Sequence, residues 1–146
     1  MKLVNFCLAM LMGIPAILVG QKDGEAKIDL TQPLWFGNAI CYSGYREGQN
    51  PDHNKFPSQT QILEDFRILE KHWTLIRTYG SDQHSRDILE VIRREKINLK
   101  VMLGAWLAAE PGNEANNAKQ ITACISLANE YSDMVVAVRV CKEDQV

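Results

Sequence analysis

Short apolar runs alternate with helical patterns along this chain, and the alternation limits the folds that it can adopt. The apolar runs end near Tyr42, Arg77, Trp106 and Val140. They recur about every 30 residues, as strands do in consecutive βαβ units. Because crossovers between parallel strands are right-handed, the order β-α-β-α-β-α-β predicts a parallel sheet in an α/β fold. Such a sheet is either a small open one or half of an eight-stranded barrel, which needs about 250 residues.

The helical segments carry recognisable starts and apolar faces. Ser58 followed three residues later by Gln61 is a capping-box pattern, which predicts a helix start. Asn113, which follows a Pro-Gly break, is predicted to cap the third helix. The residues predicted to face the sheet are, helix by helix, Ile62, Phe66 and Leu69, then Ile88, Val91 and Ile92, then Ala118, Ile121, Ile125 and Ala128.

Composition and charge exclude several classes of function. The 146 residues, with 46% hydrophobic content, predict one domain at most, and a net charge of -2 provides no positive field for nucleic acid. None of the three histidines and four cysteines falls in CxxC, HxxxH or HExxH spacing, so neither a metal site nor a cofactor is predicted. Cys41, Cys124 and Cys141 are interpreted as unpaired packing cysteines, and the alternative is that two of them form one disulfide.

The N-terminal segment has the pattern of an export signal. Lys2 precedes an apolar run over residues 3–19, so residues 1–26 are predicted to be a signal peptide. The alternative is a retained membrane anchor, and the membrane would then be contacted only through this segment. We expect a secreted, periplasmic or cell-surface protein. Residues 27–33 are predicted to be a linker and residues 34–146 the folded domain.

The candidate binding groups follow the ends of the predicted strands. Tyr42 ends the first strand, Arg77 and Tyr79 follow the second, and Trp106 ends the third. Because the carboxyl ends of parallel strands meet at one edge of a sheet, these side chains are expected to lie near one another. For Trp106 two interpretations stay open, a core residue or a platform on which a ring stacks.

Several segments together resemble glycoside hydrolase family 17 and its β-1,3-glucanase-like relatives. They are residues 39–49 (AICYSGYREGQ), 76–79 (IRTY) and 100–106 (KVMLGAW), then the strand at 135–138 leading to Glu143, and they lie in the family's order. The resemblance implies a (β/α)8 TIM barrel, of which this chain holds the first four βα units as a half-barrel with a parallel sheet. It also implies a retaining glycosidase that hydrolyses O-glycosyl bonds, with a β-glucan polysaccharide, β-1,3-glucan above all, as its substrate.

The same resemblance implies roles for individual residues. Tyr42, Arg77, Tyr79 and Trp106 would bind the substrate in the sugar cleft, and Glu143 falls at the catalytic acid/base position. Retaining glycosidases place a second carboxylate, the nucleophile, about 5 Å from the acid/base.

Two departures from the family pattern shape the functional expectation. Cys141-Lys142-Glu143 stands where the family has Gly-Asn-Glu, and a lysine beside the acid/base favours the ionised glutamate. The sequence also stops before the strand that carries the family's nucleophile. We therefore expect a truncated glycosidase that is inactive alone and that self-associates through the exposed edges of the half-barrel. The alternatives are a non-catalytic carbohydrate-binding remnant and an exported α/β domain that binds a partner protein.

Overall fold

Strands and helices alternate along the chain as the sequence patterns predict. A computed structural model of the protein describes residues 37–143, with side chains up to residue 140, so the predicted leader (1–26) and linker (27–33) lie outside the described residues. The elements in chain order are β1 (Ala39–Cys41), α1 (Gln59–Leu69), β2 (Leu75–Arg77), α2 (Gln83–Glu95), β3 (Lys100–Ala108), α3 (Glu114–Glu130) and β4 (Val135–Glu143). A short 3-10 turn, Pro51–His53, lies in the loop between β1 and α1.

The strands form a 4-stranded parallel sheet in the order β1-β2-β3-β4. One row of the register aligns Ile40, Ile76, Val101 and Val135 across the sheet. Each crossover leads to the next strand in the same direction, and right-handed crossovers of this kind return on the same face. The predicted α/β fold with a parallel sheet is confirmed, and it is compatible with part of a (β/α)8 barrel. Closure into such a barrel stays a prediction.

One face of the sheet and the inner faces of the helices share a hydrophobic core. Its most deeply buried side chains are Ile62 and Phe66 of α1, Ile88, Leu89 and Val91 of α2, Cys124 and Leu127 of α3, and Ile76, Val101, Leu103 and Ala105 of the strands. The predicted inner faces of α1 and α2 are therefore confirmed. Burying one large aliphatic or aromatic side chain contributes about 2 kcal/mol, and these residues therefore orient each helix on the sheet.

The predicted inner face of α3 is confirmed only at Ala128, which packs against the core, and it is wrong at Ala118, Ile121 and Ile125, which are exposed. Ile121 and Ile125 are 42% and 58% exposed, whereas Cys124 and Leu127 are buried against the sheet. The helix carries two apolar stripes, and periodicity alone does not indicate which of them meets the sheet. Val138 and Val140 of β4 are exposed as well, although Val138 pairs in register with the buried Leu103. Among the described residues, these apolar groups at the β4 edge have no covering helix.

The helix starts were predicted with mixed success. Ser58 and Gln61 form the predicted capping box: the Gln61 N–H donates to Ser58 Oγ at 3.3 Å, and the Ser58 N–H donates to Gln61 Oε1 at 2.9 Å. Asn113 precedes α3 as predicted, but its side chain makes no capping bond. The Asn113 Nδ2 instead donates to the Glu110 carbonyl at 3.3 Å, which diverts the side chain from the helix N–H groups.

The described cysteines are both free thiols, but only one of them packs in the core. Cys124 is buried, as predicted, whereas Cys41 is exposed on β1, and its interpretation as a packing residue was wrong. Its position in register with Arg77 places Cys41 on the face of the sheet that the helices leave uncovered. No helix within residues 37–143 has the length and apolar character needed to cross a membrane.

The Asn117 side chain ties α3 to the end of β3, and its loss should be measurable. Its Oδ1 accepts from the Ala108 N–H at 3.0 Å, and its Nδ2 donates to the Ala108 carbonyl at 2.9 Å. Replacing Asn117 with alanine removes both bonds from partly buried groups, so we expect the free energy of unfolding in urea to fall by about 1–2 kcal/mol. Asn116→Ala, at an exposed neighbour on the same helix, should change it by less than about 0.5 kcal/mol. Equal effects of the two substitutions would contradict this role of Asn117.

Candidate functional site

A cleft of about 600 Å³ opens at the carboxyl ends of β1, β2 and β3. One wall is the loop that follows β1, and it contributes Tyr45 and Asp52. The lining also contains Tyr79, after β2, and Trp106, near the end of β3. The volume of the cleft falls within the range of small-molecule sites, and open parallel sheets bind their ligands at the carboxyl edge.

Two exposed aromatic rings contribute to the lining of this cleft. Tyr79 and Trp106 are 39% and 42% exposed, although Tyr79 follows a strand with two buried residues and Trp106 follows the buried Ala105. Trp106 follows the buried Ala105, so its side chain lies on the face of the sheet opposite the helices. The guanidinium carbon of Arg77 lies 5.0 Å from the Tyr79 ring centroid, a cation–π contact that orients the Tyr79 ring.

Tyr42 is held rigidly in the floor of the cleft. Its hydroxyl donates to Asp65 Oδ2 at 2.9 Å, and its ring packs 5.0 Å from that of Phe66. Arg46 Nη2 donates to the other carboxylate oxygen of Asp65 at 2.6 Å. Burial, followed by the bond to Asp65, raises the pKa of Tyr42 above its ordinary value. Tyr42 is therefore a fixed neutral phenol whose hydroxyl proton is already engaged.

The loop after β1 is tied to α1 along its length. Arg46 reaches α1 through Asp65, and Gln49 Nε2 donates to Gln61 Oε1 at 2.9 Å. Gly44 has a φ of 68°, and an added Cβ there would collide with the Tyr42 hydroxyl, so only glycine fits. Burial, with smaller effects from Asp82 and Asp52, raises the pKa of Tyr45 to about 12, which keeps the Tyr45 hydroxyl neutral.

Serine hydroxyls organise the turn after β2. Ser81 Oγ donates to the Gly104 carbonyl at 2.6 Å, and Ser85 Oγ donates to the Gly80 carbonyl at 2.5 Å. Asp82 is the N-cap of α2, because its Oδ1 accepts from the Ser85 N–H at 3.2 Å. This turn holds the Tyr79 ring and the Asp82 carboxylate at the mouth of the cleft.

His84, which the sequence patterns did not single out, links α2 to the loop after β1. It is only 6% exposed, and its Nε2 lies 2.6 Å from the Ser43 carbonyl oxygen. Its ring stacks on Phe56 at a centroid distance of 6.3 Å and contacts Tyr45 at 5.1 Å. A signal was present in the sequence: the histidine lies in the first turn of the helix that directly follows the predicted site segment.

The residues predicted from the sequence to form the site occupy three kinds of position. Tyr42, Tyr79 and Trp106 line the cleft together. Arg77 supports Tyr79 from the sheet, and its Nε is buried without a hydrogen-bond partner among the described residues. The backbone of Glu143 pairs with Ala108, two residues beyond Trp106 at the same edge of the sheet, but its side chain lies outside the description.

The chemistry of the cleft suits the binding of a ring that carries hydroxyl groups. Exposed aromatic faces pack against the apolar faces of such a ring, while carboxylates and backbone groups accept its hydroxyl protons. The described residues contain no cluster of three or more His, Cys, Asp or Glu side chains able to bind a metal ion. The expected lack of a cofactor remains a prediction.

Comparison with known proteins connects part of this chain to a glucanase. Over 88 residues it is 26% identical to the glucan endo-1,3-beta-glucosidase btgC of Emericella nidulans. The matched segment covers 58% of this chain and 13% of that protein, so the chain spans about an eighth of the relative's length. No family model and no solved structure matches the chain. The chain is thus distantly similar to a glucanase over part of its length, and its membership of family 17 stays a prediction.

Proposed function

We propose that the cleft binds a β-glucan, with β-1,3-linked chains as the preferred class. The observation that carries this proposal is the pair of exposed rings, Tyr79 and Trp106, beside hydrogen-bonding groups at the carboxyl ends of adjacent strands. An exposed aromatic pair in a cleft is a poor solution for stability alone, because both rings lose the gain from burial. Pyranose rings present both an apolar face and hydroxyl groups, so they satisfy both features of the cleft.

We further propose that the sheet is the first half of a (β/α)8 barrel of a family 17-like retaining glycosidase. Consecutive parallel strands in sequence order, with the cleft at their carboxyl ends, are the arrangement that such barrels use. Glu143 is proposed as the acid/base, since its backbone position lies at this same edge. The proposed role of the described cleft residues is to bind and orient the glucan. The leader pattern supports export of the chain, which would then meet the glucan outside the cytoplasm.

Glucan binding is tested by isothermal titration calorimetry of the full chain with laminarihexaose, a readout that does not depend on the cleft tryptophan. We expect Trp106→Ala and Tyr79→Ala each to weaken binding about tenfold, because each removes a stacking surface worth about 1.4 kcal/mol. Ile68→Ala, at an exposed apolar residue on α1 outside the cleft, is the control and should leave the affinity unchanged. Cellohexaose tests the preference for the linkage. If the chain binds neither laminarihexaose nor cellohexaose, the proposal is overturned.

A second candidate function, binding to another protein, is favoured by one specific observation. Four large apolar side chains are each exposed, Ile121 and Ile125 on α3 and Val138 and Val140 on β4, which lies at the edge of the described sheet. The predicted self-association has the same support. Sedimentation of the full chain and of the double variant Ile125→Glu/Val140→Glu distinguishes this function from glucan binding. An assembly that the double variant loses, with laminarihexaose affinity retained, would assign this surface to protein contacts.

A further inference from the structure

We infer that His84 is a positioning residue of the cleft, which fixes the wall that carries Tyr45 by holding the Ser43 carbonyl. The Nε2–O distance is 2.6 Å, and the same ring contacts Tyr45 near the start of the loop and Phe56 near its end. A single side chain of α2 therefore contacts both ends of the loop that forms one wall of the cleft. The inference rests on the proposed glucan site only for its binding readout.

The arrangement of the loop explains why an anchor on α2 matters. The bonds from Arg46 and Gln49 tie the loop to α1 and make no connection to α2. Tyr45 of the loop and Tyr79 of the β2–α2 turn line the same cleft, so the shape of the cleft depends on a connection between these two segments. His84 provides this connection. Its ring contacts the loop at Ser43, and it lies in the first turn of α2, which Asp82 of the β2–α2 turn caps.

The described contacts favour one protonation state of His84. Nε2 faces a carbonyl oxygen and must carry a proton, whereas Nδ1 is buried without a partner among the described residues. A proton on Nδ1 would place a cation and an unused donor between aromatic rings, which is unfavourable in a buried site. Burial lowers the pKa of His84, and the Ser43 carbonyl and the charges of Asp82 and Asp87 oppose this effect only in part.

As a consequence, we expect acidification to remove the stabilising contribution of His84 to the cleft wall. The groups facing His84 are Asp82 and Asp87 of its own helix, the Tyr42 ring at the end of β1, and Tyr45 and the Ser43 carbonyl of the loop. Since the folded pKa is below the unfolded value of about 6.5, the unfolded chain takes up the proton first. The contribution of His84 to stability is therefore complete above about pH 6.5 and is lost as the pH falls through the folded pKa.

Two substitutions at His84 separate the hydrogen bond from the ring contact. His84→Phe keeps a ring between Tyr45 and Phe56 but removes the donor to Ser43. His84→Gln keeps a donor at the distance of Nε2 but removes the ring. His53 and His72 are exposed, so His53→Gln and His72→Gln are matched controls for the loss of a histidine.

The binding experiment measures the affinity of the full chain for laminarihexaose between pH 5 and pH 8. For the wild type we expect the affinity to fall about fivefold or more as His84 is protonated. His84→Phe should bind at least fivefold more weakly at pH 7, His84→Gln should recover most of that loss, and neither should retain the wild-type pH profile. The control variants should keep it. Wild-type affinity and pH dependence in His84→Phe would overturn the inference.

A measurement without glucan keeps the two proposals distinguishable. Nitrogen-15 NMR of the wild-type imidazoles reports the tautomer of His84, and the Tyr45 ring signals report the position of the wall. We expect a neutral His84 with its proton on Nε2 at pH 7, and Tyr45 signals that shift together with its titration. This result with no glucan binding would reject the proposed function and leave the positioning role standing. A charged His84 at pH 7, or Tyr45 signals that ignore its titration, would refute that role.

Discussion

Replacing Gly104 with alanine is expected to destabilise the fold by about 3 kcal/mol, the upper part of the range for overpacking a close-packed site. An ideal Cβ at Gly104 would collide with the Tyr79 carbonyl oxygen and approach the Thr78 carbonyl oxygen to 2.6 Å. Both atoms belong to the backbone that continues β2, so neither can rotate away as a flexible side chain would. The alanine can be accommodated only by separating β2 from β3.

The contacts of Gly104 extend the effect to the cleft. Its N–H donates to Thr78 Oγ1 at 3.1 Å, and its carbonyl accepts from Ser81 Oγ at 2.6 Å. Separation of the strands would stretch both bonds and displace the turn that carries Tyr79. We therefore expect weaker binding of laminarihexaose by the folded fraction of Gly104→Ala.

A neighbouring glycine provides the matched control for this steric argument. A Cβ at Gly80 would lie 3.6 Å from Asp82 Oδ2, an ordinary van der Waals distance. Gly80→Ala should therefore change the free energy of unfolding by less than about 1 kcal/mol. Urea unfolding followed by far-ultraviolet circular dichroism measures both variants. A midpoint for Gly104→Ala close to that of Gly80→Ala would refute the close approach of β2 and β3.

Replacing Asp65 with alanine is the second substitution from which we expect a large effect. Tyr42 is buried, and its hydroxyl donates to Asp65 Oδ2. In Asp65→Ala this hydroxyl would have no acceptor. An unsatisfied buried hydroxyl and a lost charge-assisted bond together reduce the free energy of unfolding by about 2 kcal/mol. The ion pair with Arg46 adds little, because the Arg46 side chain is 40% exposed and solvent screens the pair.

A double-mutant cycle isolates the bond between Tyr42 and Asp65. Tyr42→Phe keeps the ring against Phe66 and removes the donor, so Asp65→Ala in that background should lose less than about 0.5 kcal/mol. Glu64→Ala is the control on the same helix, since the Glu64 side chain is 66% exposed and lies 4.0 Å from Arg46. If Asp65→Ala has the same effect in the Tyr42→Phe background as in the wild type, this hydrogen bond does not stabilise the cleft floor.

The alternation of strands and helices was predictable because it depends on short-range patterns. The capping box at Ser58 and Gln61 joins residues three positions apart, and the apolar faces of α1 and α2 follow one helical period. The inner face of α3 was not predictable in this way. Its two apolar stripes are equivalent to a periodicity argument, and only packing on β3 selects Cys124 and Leu127 over Ile121 and Ile125.

In the candidate site, likewise, some residues could be predicted from the sequence and others could not. Tyr79 and Trp106 could be expected at the cleft, because parallel strands bring their carboxyl ends to one edge. The bond from Tyr42 to Asp65 and the contact of His84 with Ser43 span 23 and 41 residues of sequence. These contacts depend on the path of the loop after β1, which no local pattern specifies. Local patterns were thus sufficient for the layers of the fold and for the edge that carries the cleft. Only the tertiary structure decided which side chains at that edge are buried, paired or left without a partner. The reason is that hydrogen bonding and burial depend on neighbours that are distant in sequence.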